Sequence, residues 1–283
     1  MNLLILGGTR FVGLHMAQAA LDRGWRVSLY HRGQTNPDAL PNAWHLTGDR
    51  NDGYPRGQWD AAIDVSGYIP RHAGEAAEAV KAYCYMFVST VSVYEQTAGK
   101  SGPNEESPRV APPEPPTEEI TGETYGGLKT ACEDVVLQHR PDASILRPGL
   151  VVGPHDYTNR FDKWARAFRD GGDVSVPPRL AQPLQLIHAR DLAEFALDLL
   201  SSGREGAYNG VGPESTLGDM FRALAATYPG SRAVPMPGTT GPFVLAEDGS
   251  HDGLLRANDT KSRFAGLQAR PVETVAHESS QWI

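Results

Sequence analysis

Short apolar runs alternate with helix-like segments through the first half of the chain. Leu3 to Leu6 is a continuous apolar run, as a strand covered on both faces requires, and it runs into Gly7-Gly8. From Gly13 to Arg23 the residues Leu14, Ala17, Ala20 and Leu21 recur at three and four, predicting an amphipathic helix stopped by Gly24. Further short strands are predicted at Trp25 to Tyr30, Trp44 to Leu46, Ala61 to Val65, Met86 to Ser89 and Ser144 to Leu146. Strands separated by helices imply an α/β fold, a doubly wound parallel sheet with helices on both faces. After Pro154 the pattern becomes irregular, with helices predicted at Arg160 to Arg169 and at Thr216 to Tyr228, the second opening on the capping-box-like Thr216-Leu217-Gly218-Asp219. Between Gly102 and Thr117, Pro103, Pro108, Pro112-Pro113 and Pro115-Pro116 exclude both helix and central strand. Such a long loop is either a functional lid or a disordered segment.

The chain has 283 residues, 40% hydrophobic and 21% charged, enough for one large domain or a nucleotide domain with a small second lobe. No apolar run approaches the length of a membrane span, so a soluble globular protein is expected. A formal net charge of −8 opposes non-specific attraction to nucleic acid and to anionic lipid. Cys84 and Cys132 make no disulfide framework, and no Cys/His cluster has zinc-ligand spacing, which suits a reducing cytosol. The N-terminus has no basic region and its apolar stretch stops at Gly7, so it reads as a strand rather than a signal peptide. A cytoplasmic location is expected.

Gly7-Gly8-Thr9-Arg10-Phe11-Val12-Gly13 lies between the first strand and the first helix. A turn there aims backbone N–H groups and the positive end of the helix dipole at one spot, which suits a pyrophosphate. Gly7 allows the tight turn and Gly13 lets the helix pack close to the strand, whereas Arg10 stands where the usual spacing has a middle glycine. The second strand ends Tyr30-His31-Arg32-Gly33, without the acid that bonds ribose hydroxyls in sites preferring NAD. Arg32, with Arg10, can instead clamp a 2′-phosphate, so NADP(H) is favoured and NAD(H) is the alternative. Asp49, after Gly48, is placed to accept from an adenine amino group, a simple surface turn being the plainer reading. The candidate cofactor contacts are thus Gly7, Thr9, Arg10, Phe11, Val12, Gly13, Arg32, Asp49, Arg50 and Ser66, joined by Tyr125 and Lys129.

Tyr125 and Lys129 are four apart at the start of a helix-like run, so they share one face. A nearby ammonium favours the phenolate and brings tyrosine proton transfer toward neutral pH. A hydroxyl at the end of the fifth strand, read as Phe87 to Tyr94, would complete the set. Thr90 is chosen, with Ser89 and Ser92 as competitors.

At this point the chain resembles the extended short-chain dehydrogenases/reductases, the NAD-dependent epimerase/dehydratase family. The glycine turn, Ser89 to Tyr94, Tyr125 to Lys129, Arg147-Pro148-Gly149-Leu150-Val151-Val152-Gly153-Pro154 and Ile187 to Ala193 fall in that family's order. The resemblance implies a Rossmann domain over 1–152 plus about 184–210, and a small C-terminal substrate lobe over 153–183 and 211–283. It also implies a Thr90/Tyr125/Lys129 triad, in which tyrosine exchanges a proton while nicotinamide exchanges hydride. Departures narrow the activity. Val91-Ser92 replace the Asp-Glu pair of sugar-nucleotide dehydratases, and Leu150 and Leu184 stand where epimerases grip a diphosphate with asparagine and arginine. The expected activity is therefore a reductase or dehydrogenase acting on a carbonyl or hydroxyl of a small molecule. A sugar or nucleotide-sugar epimerase is the alternative. The glycine turn also resembles chloroplast stem-loop-binding proteins, which bind RNA, but the negative charge argues against a nucleic-acid partner. The resembling family commonly forms homodimers. Substrate selection is expected in the loop 96–121 and in 155–183 and 230–255, where Asp156, Arg160, Trp164 and Arg179 either reach the pocket or, more simply, lie on the surface.

Overall fold

The structure is a computed structural model that describes residues 1–95, 102–245 and 247–283. Its first elements are β1 (Asn2–Leu6), α1 (Phe11–Asp22), β2 (Arg26–His31), β3 (Trp44–Thr47), β4 (Trp59–Asp64), α2 (Pro70–Ala79) and β5 (Ala82–Val88). There follow α3 (Tyr125–His139), β6 (Ser144–Pro148), β7 (Leu150–Val152), α4 (Arg160–Arg169), β8 (Gly172–Val176), β9 (Pro183–Leu184) and β10 (Leu186–His188). The chain closes with α5 (Ala189–Ser201), β11 (Gly206–Gly210), β12 (Ser215–Thr216), α6 (Leu217–Thr227), β13 (Ser231–Pro235), α7 (Thr260–Phe264) and α8 (Val272–Ser279).

Seven of the strands form one parallel sheet in the order β11-β6-β5-β4-β1-β2-β3. In β1 the residues Leu3 to Leu6 are all fully buried, because both faces of the sheet are covered. Leu3 and Ile5 pack with residues of α1 and α5, while Leu4 and Leu6 pack with Ala73, Ala76 and Ala77 of α2 and Cys132 and Val136 of α3. This is the Rossmann-like doubly wound arrangement, and it opens a crevice where β1 turns to β2 on one side and β4 on the other. A second apolar cluster joins Phe161, Trp164 and Phe168 of α4 to Leu217, Met220 and Phe221 of α6 and Val275 and Ala276 of α8.

Two expectations change here. The fifth strand ends at Val88 rather than running to Tyr94, because the Thr90 hydroxyl accepts from the Ser92 N–H and starts a short 3-10 turn over Val91–Val93. Asp156 and Trp164, for which the surface was the simpler expectation, are buried, the indole N–H of Trp164 donating to the Pro242 carbonyl. Of the proline-rich loop, 96–101 lie outside the described residues. The part beyond them is bonded down: Val110 N–H donates to Val93 O, Asn258 N–H to Pro103 O, and Asn209 N–H to the Glu105 carboxylate.

The same loop feeds a buried polar network. Glu133 of α3 is fully buried and receives Arg147 Nε at 2.9 Å and Nη2 at 2.7 Å, with Arg109 Nη1 at 3.0 Å. Arg147 Nη1 also donates to Tyr94 Oη, which donates on to Asn209 Oδ1. Removing the carboxylate leaves a buried guanidinium uncompensated, a loss of about 3–5 kcal/mol. Glu133→Ala is expected to lower the unfolding free energy by that much in urea, and a loss below about 1 kcal/mol would show that the pair does not hold α3.

Candidate active site

The turn after β1 is possible only with glycine at three places. Gly7 and Gly8 have φ of +107° and +93°, and a Cβ on Gly8 would come within 2.7 Å of the Leu29 side chain. A Cβ on Gly13 would meet the Gly8 backbone N at 2.8 Å. The first turn of α1 therefore rests directly on the loop that precedes it. Its N-cap, Arg10, is extended and supplies no side-chain cap, so the first N–H groups of α1 are left to whatever enters the crevice.

Beside this turn lies a cavity of about 540 Å³. Gly7, Thr9, Arg10, Phe11, Val12 and Gly13 form one wall, and Arg32, Asp49, Arg50 and Ser66 line it from the ends of β2, β3 and β4. All ten cofactor candidates outside the triad thus meet in one place. Arg32 is exposed and forms no ion pair among the described residues, although its charge is one of those that lower the Asp49 carboxyl. Asp49 Oδ1 accepts from the Asn51 N–H and side-chain amide, and that backbone bond holds its carboxyl below the usual range. The guanidinium of Arg50 is committed: it pairs with buried Asp64 and donates to Ser66 Oγ at 2.8 Å, while Ser66 Oγ donates to Leu6 O. Burial and that carboxylate act on Arg50 in opposite senses, and the carboxylate wins. Asp64 was not anticipated, although an acid directly after the apolar run Ala61-Ala62-Ile63 was the available signal.

Thr90 and Tyr125 meet through their side chains beyond the C-terminal end of β5, whereas Lys129, one turn along α3, gives its ammonium to backbone carbonyls, and none of the three lines that cavity. Gly126 and Gly127 permit this approach: a Cβ on Gly126 would lie 2.4 Å from Ser92 O, and one on Gly127 2.6 Å from Ala111 O. Lys129 is 2% exposed, donates to Gly67 O at 2.7 Å and Val88 O at 2.8 Å, and sits 4.0 Å from the Phe87 ring centroid. Burial lowers its pKa to about 8. Tyr125 differs from expectation. Its phenol lies above its ordinary value, raised by burial, while the Thr90 side chain and the Arg160 charge pull it down without prevailing. Of the competing hydroxyls, Ser92 Oγ accepts from Thr90 and Ser89 Oγ is buried without a partner among the described residues.

Two residues the sequence reading missed stand between the cavity and the triad. Tyr68, half out in the open groove, places its ring 5.6 Å from Lys129 Nζ, and Tyr157 lies under the Arg10 guanidinium at 3.3 Å and against the Phe11 ring edge. Both line the cavity. Burial pushes the Tyr68 phenol up to about 12, so it stays neutral. No spacing rule reports these contacts, because Tyr157 reaches the turn from a segment far along the chain.

Comparison with known proteins agrees with the geometry. The profile of the NAD dependent epimerase/dehydratase family matches residues 60–211. A chloroplast stem-loop binding protein of 41 kDa from Arabidopsis thaliana is 27% identical over 222 residues, 71% of this chain and 55% of that protein. The chain thus spans about half the length of this curated relative. UDP-glucuronic acid 4-epimerase from Bacillus cereus, solved with NAD, superposes with a TM-score of 0.74 at 15% identity over 100% of this chain and 96% of that one. UDP-glucose 4-epimerase from Thermotoga maritima, solved with UDP-glucose, gives 0.72 at 15% identity over 100% and 98%. At these identities the likeness to solved structures is one of fold.

The buried ammonium generates a pH test. The unfolded chain holds the lysine proton to about pH 10.4, the folded chain only to about 8, so unfolding takes up a proton between those values and stability rises with pH across that window. Lys129→Met should flatten this rise in denaturant midpoints compared at pH values inside the window. An unchanged slope would show that Lys129 is solvated.

Proposed function

Because the chain belongs to the NAD dependent epimerase/dehydratase family, we propose that it is an oxidoreductase transferring hydride between a nicotinamide dinucleotide and a hydroxyl or carbonyl carbon of a small molecule. The observation that carries this is a cofactor-sized cavity on the glycine turn, one of whose lining residues, Tyr68, lies 5.6 Å from Lys129 Nζ. In this reading the segments 1–152 and about 184–210 hold the cofactor, and 153–183 with 211–283 hold the substrate.

The residues present fit a dinucleotide. Uncapped N–H groups of α1 and the Arg10 guanidinium suit a diphosphate, and the free oxygen of Asp49 suits an adenine amino group. An exposed Arg32 at the end of β2, with no acid there, suits a 2′-phosphate, so NADP(H) is preferred over NAD(H). When bound, the nicotinamide supplies or accepts the hydride. Tyr125 gives or takes the proton at the substrate oxygen, and Thr90 orients that oxygen. Lys129, released from the Gly67 and Val88 carbonyls, brings a positive charge toward the phenol and favours its ionised form. The raised Tyr125 phenol then serves as a proton donor at rest and becomes a base only when Lys129 turns toward it.

The epimerases among the structures of like fold favour a second reading, oxidation and re-reduction of one carbon with the cofactor retained. Net change in nicotinamide absorbance separates the two, since epimerisation leaves none. The stem-loop-binding relative suggests RNA. The net charge of −8 weighs against it, and filter binding of structured RNA at physiological salt should show no retention.

Two substitutions test the main reading. Tyr125→Phe is expected to lose about 10²–10⁴-fold in turnover with cofactor affinity unchanged, and wild-type rates would remove Tyr125 from the chemistry. Arg32→Ala should weaken NADPH binding roughly tenfold or more in a fluorescence titration, in line with a lost charge-assisted bond, and leave NADH unaffected. Equal loss for both cofactors would contradict the 2′-phosphate assignment.

A further inference from the structure

Arg160 opens α4 on the substrate side of the site, and its surroundings are unusual for an arginine in this chain. Its Nε donates to Thr158 Oγ1 at 3.1 Å, and its guanidinium carbon lies 5.6 Å from the Phe243 ring centroid. Its two terminal nitrogens have no partner among the described residues, although the side chain is half-buried. The acids nearest in sequence pass it over. Asp156 turns Oδ1 to the Thr158 N–H and hydroxyl and buries Oδ2, and Asp162 faces Arg166 at 3.5 Å and the Trp282 indole at 3.2 Å. Most arginines that are not fully exposed here have a carboxylate, as Arg50, Arg109, Arg147 and Arg270 do.

The Arg160 charge is among the influences that pull the Tyr125 phenol down, behind burial, which raises it, and the Thr90 side chain. Three residues earlier Tyr157 stacks on Arg10, so the segment that presents Arg160 is seated against the glycine turn. A half-buried guanidinium held by its inner nitrogen and an aromatic face, with its outer fork open, is arranged for a bidentate oxyanion.

We propose that Arg160 binds an anionic group, a carboxylate or a phosphate, on the substrate whose hydroxyl or carbonyl oxygen meets Tyr125. The inference rests on the hydride-transfer reading and narrows it to acidic hydroxy or oxo compounds. Arg160 sets which molecule is accepted and where its reacting carbon lies. It takes no part in proton transfer. Two further cations, Arg10 and Arg32, face the cofactor cavity, so a small anion has more than one place to bind unless that cavity is filled.

The test is calorimetric titration of the protein saturated with NADP⁺, using inorganic phosphate in one arm and malonate in the other. Wild-type protein is expected to bind at least one of them, and the stronger arm identifies the group as phosphate or carboxylate. Arg160→Gln should weaken that binding tenfold or more, Arg160→Lys should restore part of it, and the NADP⁺ affinity of both variants should match wild type, which also shows that they fold. Binding of neither anion to the wild-type protein, or equal binding to Arg160→Gln, overturns the proposal. Failure of both NADP⁺ and NAD⁺ to bind overturns the hydride-transfer reading instead, and the two failures are distinguished by which titration is silent.

Discussion

Two charged side chains one turn apart on α3, Lys129 and Glu133, are buried, and the site depends on how each is met. An unpaired buried charge costs several kcal/mol, so the helix can settle only where partners exist for both. Lys129 finds the carbonyls of Gly67 and Val88, just beyond β4 and at the end of β5, and Glu133 finds Arg147 on β6 and Arg109 in the proline-rich loop. The helix is thereby tied to three strands and one loop at once. Tyr125, at its first position, inherits that placement, and Gly126 and Gly127 let the helix come close enough for it to hold.

The glycine turn is the second fixed point. The near contact of Gly13 with Gly8 sets α1 with its uncapped end toward the crevice. Arg10, in place of a glycine, links that end to Tyr157 by stacking, so the nucleotide turn and the segment leading into α4 share a contact. Tyr68 and Tyr157 both line the cavity, and Tyr68 carries its wall to within 5.6 Å of Lys129 Nζ, which does not line it. Among the described residues Arg10, Arg32 and Arg160 make no ion pair, unlike most of the more buried arginines, so positive charge is left on this side of an acidic molecule.

Periodicity was a sound guide wherever burial on a regular element decided the outcome. The run Leu3 to Leu6, the helix Arg160–Arg169 and the capping box of Thr216 and Asp219 are all present as expected, because local pattern and tertiary packing agree there. It failed where a side chain overrode the pattern. Thr90 ends β5 early by accepting from the Ser92 N–H, and Asp156 is buried on the strength of bonds to Thr158 rather than exposed by its charge. The ten cofactor candidates meet in one cavity because they follow strand ends, which sequence order does locate. The Arg50–Asp64 pair, Tyr68 and the Arg10–Tyr157 stack were invisible because each joins residues through space without a spacing of its own.

The central claim is that one dinucleotide reaches from the glycine turn to Lys129. The most direct measurement is a crystal structure of the protein with NADP⁺. The account predicts the diphosphate on the N–H groups that begin α1, the nicotinamide past Tyr68, and a nicotinamide ribose hydroxyl about 3 Å from Lys129 Nζ. A cofactor confined to the outer cavity, with Lys129 still donating to Gly67 and Val88 and Tyr68 unmoved, would contradict it.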